Sequence, residues 1–63
     1  MEITTNNSTY LVDLIAKTVT GGVFRNTAEQ YTEANFQIGY PAVFFLQNGE
    51  IVRTSDVKSV RVA

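Results

Sequence analysis

Apolar and polar positions alternate in short runs along most of the chain, and clusters of Asn, Gly, Ser and Pro separate the runs. A period of two puts one set of side chains on the buried face of a strand, so the pattern predicts strands rather than helices. Ile3 anchors a segment from Glu2 to Thr5, and Asn6-Asn7-Ser8 after it predicts a turn, because these side chains bond local backbone. Tyr10, Val12 and Leu14 then alternate with Leu11, Asp13 and Ile15, giving one apolar face and one mixed face. A bend near Ala16-Lys17 and the run Thr18-Val19-Thr20 predict an antiparallel return, ended or bulged by Gly21-Gly22.

The stretch from Arg25 to Asn35 is the longest polar one. Asn26 stands three residues before Glu29, a variant of the capping box, and predicts either one or two turns of helix from Thr27 to Thr32 or a plain loop. Phe36 and Ile38 resume the alternation before Gly39-Tyr40-Pro41, where Pro41 fits the start or edge of a strand. Asn48-Gly49 between two β-rich runs is a strong hairpin signal for Ala42 to Ser55. A two-residue turn would set Leu46 opposite Ile51, Phe45 opposite Val52, Phe44 opposite Arg53 and Val43 opposite Thr54. Phe44 then shares a face with Leu46, Ile51 and Arg53, while Phe45 shares the other with Val43, Val52 and Thr54, so each face carries a ring. Thr54-Ser55-Asp56 reads as a further turn, and Val57, Val60 and Val62 as a last short strand that keeps Lys58 and Arg61 in solvent.

Composition supports the same class. Eight Val, eight Thr, four Ile, four Phe and three Tyr favour a pleated surface. The expected fold is all-β, or β-rich with one short helix: a small antiparallel barrel or sandwich of five to seven short strands, with residues 1–63 forming a single domain. A chain of this length has room for one small core. Without Cys or His it lacks thiolate and imidazole ligands, a thiol nucleophile and a proton shuttle near neutral pH. The expectation is therefore no enzyme, no metal and no cofactor. Glu29 and Glu33 would share a helix face, but their polar neighbours give them no cleft, and Thr54-Ser55 has turn capping as its ready role. Gly21-Gly22 and Gly39 belong to no phosphate-binding loop.

Met1 to Ser8 contain neither a basic region nor an apolar run, so no signal peptide is expected. The apolar run Ala42 to Leu46 is far shorter than the roughly 20 residues of a membrane span. A cytoplasmic protein without membrane contact is the expectation. Five basic residues against six acidic ones give a net charge of -1. Arg53, Lys58 and Arg61 are the basic residues placed to meet phosphates if the protein binds nucleic acid. The candidate surface for a protein partner or a homodimer comprises Phe44, Phe45, Arg53, Tyr40 and Tyr31. One of the paired rings needs a cover beyond the first core layer, and tyrosines both stack and hydrogen-bond. Arg53 over Phe44 would form a cation–π pair.

The stretch from Gly39 to Val60, GYPAVFFLQNGEIVRTSDVKSV, resembles small uncharacterised proteins of bacteriophages and mobile elements of Gram-positive bacteria. The resemblance is carried by the Asn-Gly turn and by Arg53, Thr54, Ser55, Val57, Ser59 and Val60 in the ending, with Ile3, Thr4, Thr5, Ser8, Tyr10 and Asp13 similar in the opening. It implies a small SH3-like β-barrel of phage origin, with no catalytic residues to carry over. By the resemblance, the expected function is a non-enzymatic protein-binding module, a phage-encoded inhibitor of a host defence protein in the host cytoplasm. The alternative is a small barrel that binds single-stranded nucleic acid, with Tyr and Phe rings stacked on bases.

Overall fold

Six antiparallel strands joined in sequence order close on themselves, and a computed structural model describes them over residues 1–62. They are β1 (Glu2–Thr5), β2 (Thr9–Asp13), β3 (Thr18–Gly21), β4 (Glu29–Asn35), β5 (Pro41–Leu46) and β6 (Ile51–Arg61). Each strand pairs with its successor, and β6 returns to pair with β1, so the ends of the sheet meet. One 3-10 turn, Gly22–Phe24, follows β3. Among the described residues no helix is long and apolar enough to cross a membrane.

Alternation decides what faces inward. Ile3 and Thr5 on β1, Tyr10 and Val12 on β2, Val19 on β3, Tyr31 on β4, Ala42, Phe44 and Leu46 on β5, and Thr54 and Val57 on β6 are buried. Phe44 sits at the centre, fully buried, with its ring centroid 6.1 Å from Tyr10, 6.3 Å from Phe24 and 6.1 Å from Tyr31. Gly22, at φ +50°, lets the chain pass against the Tyr10 ring, where a Cβ would overlap it. Burial of the hydroxyl of Thr54 is offset by bonds: its Oγ1 accepts the Ala42 N–H at 2.9 Å and donates to the Ser55 carbonyl at 2.7 Å.

The turns follow their side chains. Thr5 Oγ1 accepts the Ser8 N–H at 3.2 Å across the Asn6-Asn7-Ser8 turn. Between β2 and β3, Asp13 Oδ1 accepts the N–H groups of Ile15 and Ala16, each at 2.9 Å, and Lys17 closes the turn at φ +56°.

Three expectations are corrected. Residues 27–32 hold no helix: β4 begins at Glu29, because Tyr31 and Ala34 have the interior to fill and β5 offers a ladder, whereas two turns of isolated helix would bury nothing. The hairpin is shifted by one residue, with Phe45 opposite Ile51, Phe44 opposite Val52 and Val43 opposite Arg53. Leu46 takes its bond from Glu50, its N–H reaching the Glu50 carbonyl at 2.8 Å, so the loop is Gln47-Asn48-Gly49 with Gly49 at φ +95°. This is a type I turn closed by a left-handed glycine rather than a two-residue turn. Finally, Thr54-Ser55-Asp56 is no turn. β6 runs on through it and absorbs one extra residue between Arg53 and Asp56 and another, Lys58, between Val57 and Ser59. These bulges bend β6 so that its first half pairs with β5 and its second with β1.

Candidate interaction surface

The register shift redistributes the residues marked for interaction. Phe44 and Tyr31 lie inside the barrel, 0% and 7% exposed, which corrects their placement on a contact surface. Phe45 projects from the outer wall, half-buried, with Ile51 opposite it and Val43 and Arg53 forming the next pair. Arg53 is thus on the other side of the wall from Phe44, and no cation–π pair joins them. Tyr40 is exposed in the segment before β5.

Arg53, Lys58 and Arg61 are all exposed, yet they do not converge. Arg53 belongs to the half of β6 that pairs with β5, Lys58 is the bulged residue, and Arg61 belongs to the half that pairs with β1. Arg61 also lies 3.8 Å from the Glu2 carboxylate.

An apolar surface lies elsewhere, at the end of the barrel where the β2–β3 turn meets Met1 and Val62. Leu11 faces outward from β2 because Tyr10 and Val12 face inward, and Leu14 and Ile15 are carried out of the wall by the turn that Asp13 fixes. Met1 is held beside them by its ammonium group, which donates to the Val12 carbonyl at 2.9 Å, while the Val12 N–H returns to the Met1 carbonyl at 2.8 Å. Val62, just past β6, completes an open groove of about 600 Å³. Leu11, Leu14, Ile15 and Val62 are 52%, 54%, 97% and 88% exposed. Asp13, Thr18 and Thr20 add polar atoms to its lining, while Glu2 and Arg61 on one side and Lys17 on the other line neighbouring hollows.

Two ionisable groups at this end are perturbed. The N–H groups of Ala16 and then Ile15 hold the Asp13 carboxyl below its ordinary value of 3.8. Burial, with the Asp13 charge behind it, pushes the Tyr31 phenol above its ordinary 10.0; its hydroxyl lies 3.4 Å from the Asp13 carbonyl. Among the described residues no three His, Cys, Asp or Glu side chains are grouped to hold a metal ion.

The groove escaped sequence reasoning because its parts are distant in the chain, Met1 and Val62 from opposite ends and Leu11 to Ile15 from the first hairpin. The one local sign was the mixed outer face of the first hairpin, with Leu11 and Ile15 around Asp13. The architecture defines a class, a small closed six-stranded meander barrel with an apolar groove at one end. Comparison with protein-family models, with curated proteins and with solved structures gave no significant match to the chain.

Proposed function

We propose that this barrel is a non-enzymatic protein-binding module, of the phage-encoded, SH3-like kind that its opening and the stretch Gly39 to Val60 resemble, and that it inhibits a host defence protein in the bacterial cytoplasm. The observation that carries the reading is the groove of Met1, Leu11, Leu14, Ile15 and Val62. Its exposed aliphatic side chains, with Asp13, Thr18 and Thr20 beside them, combine apolar contact area with polar atoms as protein interfaces do. A single isoleucine in water needs no explanation, but four large aliphatic side chains around one groove form a patch of the kind that marks partner binding.

Single-stranded nucleic acid fits the surface less well. Stacking platforms need exposed rings beside a basic track, whereas Tyr31 and Phe44 are inside and the basic residues are spread along a bent strand.

The test compares capture of a host protein by wild type and by a Leu14→Asp/Ile15→Asp variant, with an Arg53→Glu/Lys58→Glu variant as the contrast. Both groove positions are exposed in a turn, so the variant folds. Loss of capture with the groove variant alone supports the reading. Loss with the basic variant alone, together with oligonucleotide binding that weakens steeply with salt, transfers support to nucleic acid.

A further inference from the structure

The barrel has a weak seam. β3 pairs with β4 only at Thr18 with Gln30 and Val19 with Glu29, and the last bond across the seam is from the Tyr31 N–H to the Lys17 carbonyl, at 3.0 Å. β4 continues to Asn35, so Glu33 to Asn35 pair with β5 on one side and, among the described residues, with no strand on the other.

The direction of the backbone groups on that free side follows from the ladder. Leu46 sends its N–H toward β6, to Glu50. Alternation along β5 therefore aims Phe45 and Val43 at β4 and Phe44 at β6. Ala34 is the residue opposite Phe44, so its N–H and C=O point away from β5, toward the side where β4 has no paired strand among the described residues. The bulge at Thr32 produces this phase. It inserts one residue between Tyr31 and Glu33, and Thr32 Oγ1 is drawn back to the Phe45 carbonyl at 3.2 Å.

We infer that the free edge of β4 receives the same edge of a second copy of this chain, antiparallel, about a twofold axis at Ala34. That register makes the two Ala34 residues a hydrogen-bonded pair, each giving its N–H to the other's carbonyl. It also sets Glu33 of each copy opposite Asn35 of the other, a carboxylate facing an amide donor. The same two groups already bond within one chain, Asn35 Nδ2 to Glu33 Oε2 at 3.1 Å. A register with Glu33 facing Glu33 would set like charges together. The edge contains no Pro, Lys or Arg to block pairing, and the small Ala34 side chain is half-buried toward the interior, out of the way of the joint. The two barrels would then share one continuous sheet, β6-β5-β4-β4-β5-β6. The edge adjoins the β2–β3 turn, since Ile15, Ala16 and Lys17 line one hollow with Tyr31 and Thr32, but the pairing does not rest on the groove binding a partner.

Amide hydrogen exchange of the intact protein, read at dilute and concentrated samples with light scattering on each, tests the pairing. The Ala34 amide should exchange freely when dilute and slow by about tenfold or more as a dimer forms, while Glu33 and Asn35 amides, already bonded to β5, change little. Ala34→Pro removes an N–H that, among the described residues, faces no paired strand, so it should keep the fold and weaken dimerisation by about tenfold or more. A monomer at every concentration overturns the proposal. So does a dimer that survives Ala34→Pro with Ala34 unprotected in wild type, or protection of Ala34 by an unrelated extended peptide but not by a second copy.

Discussion

Substituting the two adjacent phenylalanines by alanine should give opposite results, and the size of the difference follows from their positions. Phe44 is fully buried among three rings at centroid distances near 6 Å. Removing a buried Phe ring loses its transfer energy and leaves a cavity, a cost of about 3 to 5 kcal/mol, with aromatic pairing at the upper end of that range. A domain of this size has a total stability of roughly 3 to 9 kcal/mol at ~0.05 to 0.15 kcal/mol per residue. Phe44→Ala therefore brings the barrel close to or past its unfolding midpoint in water. Phe44→Leu, which keeps most of the volume, should cost about 1 to 2 kcal/mol and remain measurable. Phe45 stands on the outer wall, and truncating it removes a half-buried ring from Ile51, for about 1 kcal/mol. Urea unfolding followed by circular dichroism reads Phe44→Leu and Phe45→Ala as midpoint shifts at constant slope, and Phe44→Ala as loss of the folded baseline. If Phe45→Ala costs as much as Phe44→Ala, the inward and outward faces are misassigned and the shifted hairpin register is wrong.

Gly22→Ala should destabilise by about 3 kcal/mol, since it adds a clash with the Tyr10 ring to a left-handed backbone, whereas Gly49→Ala, at φ +95° with open space around it, should cost only about 1 kcal/mol. Thermal melting separates them, because each kcal/mol is worth roughly 4 to 8 °C in a domain this small. Thr54→Val should cost about 1 to 3 kcal/mol by leaving the Ala42 N–H without an acceptor, and the Ala42 amide should lose its exchange protection. Asp13 has a folded-state value below its unfolded 3.8, so its contribution is present above 3.8 and disappears as pH falls through the folded value. Wild type should accordingly exceed Asp13→Ala in melting temperature at neutral pH and approach it below that window. Tyr31, raised above 10.0, keeps the fold insensitive to alkali until the unfolded phenol begins to ionise; stability then falls as pH rises toward the folded value, and Tyr31→Phe removes that loss.

The parts of the fold legible in the sequence are those set by local chemistry. Asn6-Asn7-Ser8 makes its turn, Tyr10 and Val12 face inward, Thr18 to Thr20 return antiparallel, and Pro41 opens β5. Asn48-Gly49 did mark a hairpin, but one Gly-containing loop sequence is compatible with two loop lengths, and the extra residue moved every pair by one. β4 was hidden because the bulge at Thr32 breaks its period of two and only Tyr31 and Ala34 face inward, leaving polar residues that read as loop or helix. In β6, Thr54 and Ser55 resemble turn formers, yet Thr54 is a buried acceptor and the bulge beside it bends the strand. Of the candidate surface, Tyr40 stands between Gly39 and Pro41 in a segment that reads as a loop, and it is exposed. The groove was not legible, because closure of β6 on β1 is what brings Val62 to Met1.

The central claim is that a protein partner covers the groove at the β2–β3 end. Amide exchange of the barrel in complex with a captured host protein, compared with the free barrel, tests it most directly. Protection concentrated in Leu11 to Thr18 and at Val62, with Arg53 to Lys58 unchanged, is the predicted footprint. A complex that protects β6 around Arg53 and Lys58 while Leu14 and Ile15 exchange as in the free protein would contradict the account.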